Sequence, residues 1–327
     1  MLCIYHESTD PYFNVATDEF ILKHLKEDCF MLWRNDNAII VGKYQNTLAE
    51  INYEYVKEHQ MAVVRRISGG GAVYHDMGNL NFSFTQSGED CNLTDFEKFT
   101  KPIVDVIQQL GGDAYFSGKN DLMIDGMKIA GNAAHIYKNK ILSHGCLLFA
   151  SNIKDVGGAL RINPMKYIDK AAKSVPKRVT NISEHLKVKI TVEDFAQKIM
   201  EHVLSIYPDS KLYEFTEDDL RIIQQLRDEK YATREWNFGR SPDYTFQKAI
   251  RTKGGLLEMN MNVKKGGTIE AVKIYGDFFS ENGVEELEQA LTGIQHDETA
   301  IRKALSQLDL SRYLSNIEVD ELVGAMF

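Results

Sequence analysis

Positive charge is scarce in this chain. Lysine and arginine number 38 against 47 aspartates and glutamates, a formal net charge of −9 over 327 residues. Broad nucleic-acid binding needs a basic surface, so that class is excluded and only a local basic site stays open. Cysteine is also sparse. Cys3, Cys29, Cys91 and Cys146 stand far apart with no C-x-x-C spacing. That excludes a disulfide framework or a zinc ligand set and reads as reduced thiols of a cytoplasmic protein. No apolar run approaches the ~20 residues of a membrane span. The opening MLCIYHESTD lacks the positive start and apolar stretch of a signal peptide. Neither a membrane nor nucleic acid is expected as a partner. There are only 6 prolines, no internal repeat and no low-complexity segment. What remains is an ordinary globular composition in a chain long enough to bury a large core.

The patterning predicts a mixed α/β chain. A strand over 1–5 precedes a helix over 11–26, opened by Pro11 and carrying Val15, Phe20, Ile21, Leu22 and Leu25. FMLW (30–33) and AIIV (38–41) read as strands with a turn-like 34–37 between them. A short helix over 53–59 leads to a strand at MAVV (61–64). In NLNFSF, Leu80, Phe82 and Phe84 share one face, as in a half-buried strand. A helix from Thr94-Asp95 to Leu110 ends at Gly111-Gly112. Strands recur at 114–116, 121–124, 127–130 and 141–149. Residues 155–187 are polar and basic and read as helices and loops over the sheet. Helices near 191–206 and 217–229 precede a turn-rich connector at 231–244. Beyond it, 246–279 reads as a small antiparallel sheet with turns at Gly254-Gly255 and Gly266-Gly267, closed by two or three helices. The expected domains are 1–245 and a small α+β domain over 246–327.

One stretch stands out: RRISGGGAVYHDMGNLNFSF, residues 65–84. Its three glycines match neither GxxxxGK[ST] nor GxGxxG, and they lie between strand patterns with no helix after them. Two readings remain. One is a backbone nest that approaches an anion, with Arg65 and Arg66 as guanidinium forks. The other is a wide turn with surface arginines. His75-Asp76 invites a dyad with Ser68 or Ser83 as nucleophile, but neighbouring loop residues seldom face each other. Cys146, in SHGCLLF, is either a thioester nucleophile or, as cysteine usually is, core.

The second stretch is SGKNDLMIDGMKIAGNAA, 117–134. Asp125-Gly126 predicts a two-residue hairpin turn. That register pairs Met123 with Lys128, Leu122 with Ile129 and Asp121 with Ala130. Leu122, Ile124, Met127 and Ile129 then form the core face. Asp121, Met123, Lys128 and Ala130 form the other, with Lys128 and Asp121 diagonal neighbours. A lysine on rigid strand structure beside an acid suits a site, and Gly131 leaves room for a ligand. The alternative is a solvated lysine on an exposed face.

Together, RRISGGGAVYHDMGN and GKNDLMIDGMKIAGNAA resemble the lipoate–protein ligase A family. PYFNVATDEF, FMLWRN, SHGCLLF, SVPKRVTNISE and REWNFGRSPDY continue the resemblance in order over essentially the whole chain. The resemblance implies an α/β (α+β) fold: a mixed, largely antiparallel sheet flanked by helices, as in biotin–protein ligases, with a small C-terminal domain. It implies activation of lipoate by ATP to lipoyl-AMP, then transfer to a lysine of an apo lipoyl domain. Acceptors would be 2-oxoacid dehydrogenase E2 subunits or the glycine-cleavage H protein, and octanoate is a further donor to consider.

By motif, Lys128 matches the central lysine on the acyl carbonyl and α-phosphate, and Arg66 the arginine beside the adenylate. Gly70, Gly71, Ala72, Val73 and Tyr74 match the backbone at the nucleotide. Asn120 and Asp121 match a pair near the adenylate, with Asp121 toward Mg2+. Ser68, Gly71, His75 and Gly131 fall to the acyl pocket with Arg66 and Lys128. Trp33 is either a wall of that pocket or ordinary core. Family members often carry Ser where Ala130 and Asn132 stand, which bears on acyl or acceptor preference. An octanoyl- or lipoyl-transferase working through a cysteine, and a non-catalytic lipoate-binding protein, are the alternatives.

Overall fold

A computed structural model describes residues 1–88, 95–118, 120–160, 167–168, 178–240, 243–276, 278, 280 and 282–327. The chain divides into two compact units. One comprises Met1–Lys43, His59–Leu160 and Ser174–Thr233; the other comprises Tyr44–Glu58, Arg161–Lys173 and Arg234–Phe327. The mixed α/β fold with a small C-terminal sheet is the one expected. Of the expectation for 155–187, residues 161–166 and 169–177 lie outside the described residues, as do Thr94 and Cys91.

The strands are β1 (Leu2–His6), β2 (Cys29–Trp33), β3 (Ala38–Val41), β4 (Ala62–Arg65), β5 (Val73–His75), β6 (Asn79–Ser87), β7 (Ala114–Ser117), β8 (Asp121–Ile124), β9 (Met127–Tyr137) and β10 (Lys140–Leu148). Two-residue strands β11 (Tyr167–Ile168) and β12 (Lys211–Leu212) precede β13 (Tyr244–Thr252), β14 (Gly255–Val263) and β15 (Ile269–Gly276). In the first unit an eight-stranded sheet runs β12-β1-β2-β6-β10-β9-β8-β7, and a three-stranded sheet runs β4-β3-β5. The second unit carries β11-β13-β14-β15. Its strands pair antiparallel, and helices at Glu285–Leu291, Glu298–Leu305 and Val319–Ala325 follow them.

One face of the large sheet is apolar. Phe30, Leu32, Leu80, Phe82, Phe84, Ile141 and Leu147 pack there. Against them lie Phe99, Ile103 and Ile107 of the Phe96–Gln109 helix and Phe195, Ile199 and Val203 of the Val192–Ile206 helix. Each such side chain contributes about 1.5–3 kcal/mol by leaving water. The expectation that β6 is half-buried is corrected, because Asn79 through Thr85 are all buried. Helix α1 (Pro11–Lys23) meets the second face, where Asp18 reaches Ser83 of β6 and His144 of β10.

One further expectation changes. β9 continues past Gly131 and Asn132 to Tyr137 instead of ending at 130. The Phe82 ring fills the space beside Gly145, so a Cβ there would stand 2.6 Å from Cε1 of that ring and 2.4 Å from Asn132 Oδ1. A Gly145→Ala substitution overpacks the centre of the sheet. It should lower stability by about 1–3 kcal/mol, read as a fall in the denaturant midpoint.

Candidate active site

The hairpin β8–β9 turns through Asp125 (φ 49) and Gly126 (φ 72), the two positive-φ residues of a type I′ turn. Ile124 pairs with Met127 and Met123 with Lys128, as the turn predicts. The register then slips, so that Leu122 pairs with Ala130 and Asp121 with Gly131. Ile129 is the extra residue of a β-bulge. The expected pairs of Leu122 with Ile129 and Asp121 with Ala130 are corrected accordingly. Ala130 is not on the lysine's face; with Ile129 it enters the apolar core.

The slip has a chemical consequence. Strict alternation would put Lys128 and Gly131 on opposite faces, whereas the bulge brings them to one. The Lys128 side chain folds over Gly131: a Cβ built there would lie 2.8 Å from Nζ. Nζ also sits 3.0 Å from Asp121 Oδ1, whose side chain is 5% exposed. The lysine's backbone is bonded on its outer edge as well. Its N–H donates to the Arg178 carbonyl, and its own carbonyl accepts from Thr180 N–H. Asn120 and Asn132 tie the neighbouring strand ends, Asn120 Nδ2 donating to the Asn132 carbonyl at 2.8 Å.

Across the large sheet the same row continues. Gly131 pairs with Cys146, Cys146 with Asn81 and Asn81 with Trp33. Directly paired residues share a face, so Lys128, Asp121, Gly131, Cys146, Asn81 and Trp33 line one surface. Trp33 Nε1 and both amide atoms of Asn81 are buried with no hydrogen-bond partner.

The tri-glycine stretch is not a hairpin turn. β4 and β5 lie on either side of β3, so residues 66–72 arch over its end. Arg66 N–H donates to the Val41 carbonyl and Lys43 N–H to that of Ser68. The Arg66 guanidinium is buried. Nε donates to Ser68 Oγ at 3.0 Å, Nη1 to the Ile40 carbonyl at 3.1 Å, and Nη2 to the carbonyls of Gly69 at 2.6 Å and Gly71 at 2.9 Å. Burial pulls its pKa down to about 10, so it stays charged near neutrality. Arg65 is fully buried, with Nη1 on the carbonyls of Gly42 and Lys43. Gly70, at φ 92, is the exposed tip of the arch, and a Cβ there would lie 4.0 Å from that of Ala133 on β9. The two motifs therefore meet. Ala72 and Tyr74 are buried, and Val73 and His75 alternate with Tyr74 along β5.

His75 and Asp76 do not form a dyad. Asp76 accepts from the Gly78 and Asn152 N–H groups. His75 Nδ1 lies 2.9 Å from Asn35 Nδ2, and Asn35 Oδ1 accepts from Asn14 Nδ2. The Asn35 amide is thereby oriented, and its donor makes His75 Nδ1 an acceptor. The neutral ring then carries its proton on Nε2, which is buried without a partner. Burial first, then the charges of Arg66 and His144, push the His75 pKa down to about 3. Burial pushes the Cys146 thiol up to about 12, and Asn79 Nδ2 lies 3.0 Å from its sulfur. Asp18, His144 and Asn14 are absent from the candidates read in the sequence; His144 bonds Ser68 directly, Asp18 acts through His144, and Asn14 acts on His75 through Asn35. Their separation along the chain hides them, and the only signal was their place in PYFNVATDEF and SHGCLLF.

The family model described as the lipoyl protein ligase A/B catalytic domain matches residues 10–204. That defines the class: proteins built on a lipoyl protein ligase catalytic domain. A second model, the bacterial lipoate protein ligase C-terminus, matches 241–326. Lipoate–protein ligase 1 of Staphylococcus aureus is 43% identical over 97% of each chain. Two solved structures align at TM-score 0.63, 26% identity and 73% of this chain. One is the bipartite lipoate protein ligase of Thermoplasma acidophilum, studied with its E2 lipoyl domain (96% of that chain), and the other a lipoate–protein ligase A bound with ATP (98%). The chain belongs to the lipoate–protein ligase family.

Two outcomes are expected. Gly131→Ala meets only the flexible end of Lys128, so the fold should persist while the lysine is displaced. Unfolding midpoints should shift little and any Lys128-dependent activity should fall at least tenfold. His75 has a folded pKa of about 3 against an ordinary 6.5, so between those values the unfolded chain binds more protons. Stability present above pH 6.5 should be lost as pH falls through that window, by about 1.4 kcal/mol per pH unit from this one ring. His75→Gln should flatten the slope by that amount in denaturation series.

Proposed function

We infer that this chain is an ATP-dependent lipoate–protein ligase. It activates lipoate to lipoyl-AMP with release of pyrophosphate, then passes the lipoyl group to a lysine of an apo lipoyl domain. The observation that carries this reading is the bulged hairpin, which holds Lys128 beside Asp121 and over Gly131, next to the tri-glycine arch. Joining a carboxylate to an α-phosphate brings two anions together. A fixed ammonium and oriented N–H groups at that point are the main help a protein supplies, and shared binding adds proximity.

In this reading Lys128 touches the acyl carboxyl and the α-phosphate, and the Gly70–Tyr74 backbone lies along the nucleotide with Asn120 nearby. Four of the five N–H groups of Arg66 are committed to the arch and to Ile40. Its share is therefore to shape the arch and supply positive potential. Trp33, Ser68, Gly71, His75 and Gly131 line the acyl slot; the unpartnered Nε1–H of Trp33 and Nε2–H of His75 are donors available there. Asp121 is the protein carboxylate for Mg2+. Among the described residues no group of three or more potential ligands stands together, which suits an ion borne mainly by substrate phosphates.

Acceptors in this reading are lipoyl domains of 2-oxoacid dehydrogenase E2 subunits and the H protein, with octanoate as a second donor to assay beside lipoate. The buried free thiols of Cys3, Cys29 and Cys146 accord with work in the cytoplasm. No helix among the described residues is long and apolar enough to cross a membrane. Cys146 is a poor nucleophile, since burial keeps it a thiol, which disfavours transfer through a cysteine thioester.

The test is lipoate-dependent pyrophosphate release from ATP. Lys128→Ala should lose it by about a hundred- to a thousandfold while keeping the fold, because its side chain is outside the core. Cys146→Ser should retain it. Near-normal release by Lys128→Ala sinks the reading.

A further inference from the structure

The reaction itself gives no role to PYFNVATDEF or SHGCLLF, yet one residue of each joins a chain of hydrogen bonds that ends on the arch. Asp18 of α1 and His144 of β10 are joined, His144 Nδ1 lying 2.7 Å from Asp18 Oδ2. Ser83 donates to the other carboxylate oxygen at 2.5 Å. His144 Nε2 is 2.6 Å from Ser68 Oγ, which accepts from Arg66 Nε. All of these groups are buried.

The direction of this chain follows from its ends. A guanidinium can only donate, and a carboxylate can only accept. With His144 neutral, Ser68 therefore gives its proton to His144 Nε2, and the ring proton sits on Nδ1 facing Asp18. The Ser68 oxygen is then held with a lone pair toward Arg66. Arg66 in turn grips the carbonyls of Gly69 and Gly71. No other arrangement of protons satisfies every member at this charge, and burial makes an unsatisfied member expensive.

We propose that Asp18 and His144 are positioning residues for the tri-glycine arch, acting through Ser68 on Arg66. The inference rests on the reading that the arch meets the nucleotide. It differs from a serine-hydrolase triad of the same residue types, because Ser68 is spent as a relay rather than freed as a nucleophile. Removing the Asp18 charge or the His144 ring should loosen the guanidinium and with it the backbone N–H groups of the arch. The loss falls on ligand binding before it falls on chemistry.

The experiment uses the full chain with ATP, magnesium and lipoate, reading pyrophosphate release. Asp18→Asn and His144→Ala should raise KM for ATP about tenfold, with a smaller change in kcat. His144→Gln should recover part of that, since its amide oxygen can accept from Ser68. The double variant Asp18→Asn/Ser68→Ala should be no worse than Ser68→Ala by itself, because both cut one chain. In histidine-labelled protein, NMR should show a strongly deshielded Nδ1–H for His144 that disappears in Asp18→Asn. Unchanged KM in a folded Asp18→Asn variant, or additive losses in the double variant, overturns the positioning role. Should Asp18→Asn not fold, the His144→Ala and His144→Gln pair decides: no rise in KM, or no recovery, also overturns it. Absence of pyrophosphate release from the wild-type chain instead overturns the ligase reading, which the NMR signal does not depend on.

Discussion

A central sheet buried on both faces must find a partner for every polar group on its second face, and much of this structure answers that demand. β6 turns Leu80, Phe82 and Phe84 to one side and Asn79, Asn81, Ser83 and Thr85 to the other, where His144 and Cys146 of β10 join them. Water cannot satisfy the second set. Helix α1 does so in part, with Asp18 accepting from both Ser83 and His144. Asn79 and Thr85 find partners in Cys146 and the Cys29 N–H. Where no partner exists, at Asn81 and Trp33 Nε1, the unsatisfied groups coincide with the row that also carries Lys128. A buried polar surface left partly open is what a ligand with both an apolar chain and a charged head requires.

The lysine owes its place to a single irregularity. Without the bulge at Ile129, Lys128 and Gly131 would face opposite sides, and Asp121 would stand across from a side chain. The extra residue turns Ile129 and Ala130 both into the core while leaving Lys128 over a glycine. Burial of two apolar residues thus stabilises the same backbone distortion that aims the ammonium. The turn at Asp125-Gly126 and the outer bonds to Arg178 and Thr180 hold it from either side.

Helix α1 links the two ends of the arch. Asn14 and Asp18 are four residues apart and so share a helix face. One orients Asn35 and through it His75; the other orients His144 and through it Ser68 and Arg66. Proton positions at both ends are set by groups that can act in only one sense, a carboxylate and a guanidinium at one end and, at the other, the backbone carbonyls of Ser8 and Arg34 that accept from the Asn14 amide. Such networks are rigid because reversing any one bond leaves a buried donor facing a donor.

The sequence by itself determined the order of elements, the hairpin at Asp125-Gly126, the apolar face of β6 and the pairing of a tri-glycine stretch with a later lysine. These are local: periodicity, turn chemistry and motif spelling act within a few residues. It also carried the family resemblance, which rests on two motifs read together. Tertiary structure decided the rest. It covered the polar face of β6, which alternation alone read as solvent-facing. It placed the bulge, which depends on Ala130 gaining a core site and not on any residue preference within the strand. It brought Asp18, Ser68 and His144 into one chain across separations of 50 to 126 residues, where no periodicity reaches. And it turned Arg66 from a free anion fork into the clasp of the arch, because a buried guanidinium takes the nearest carbonyls whether or not a ligand is present.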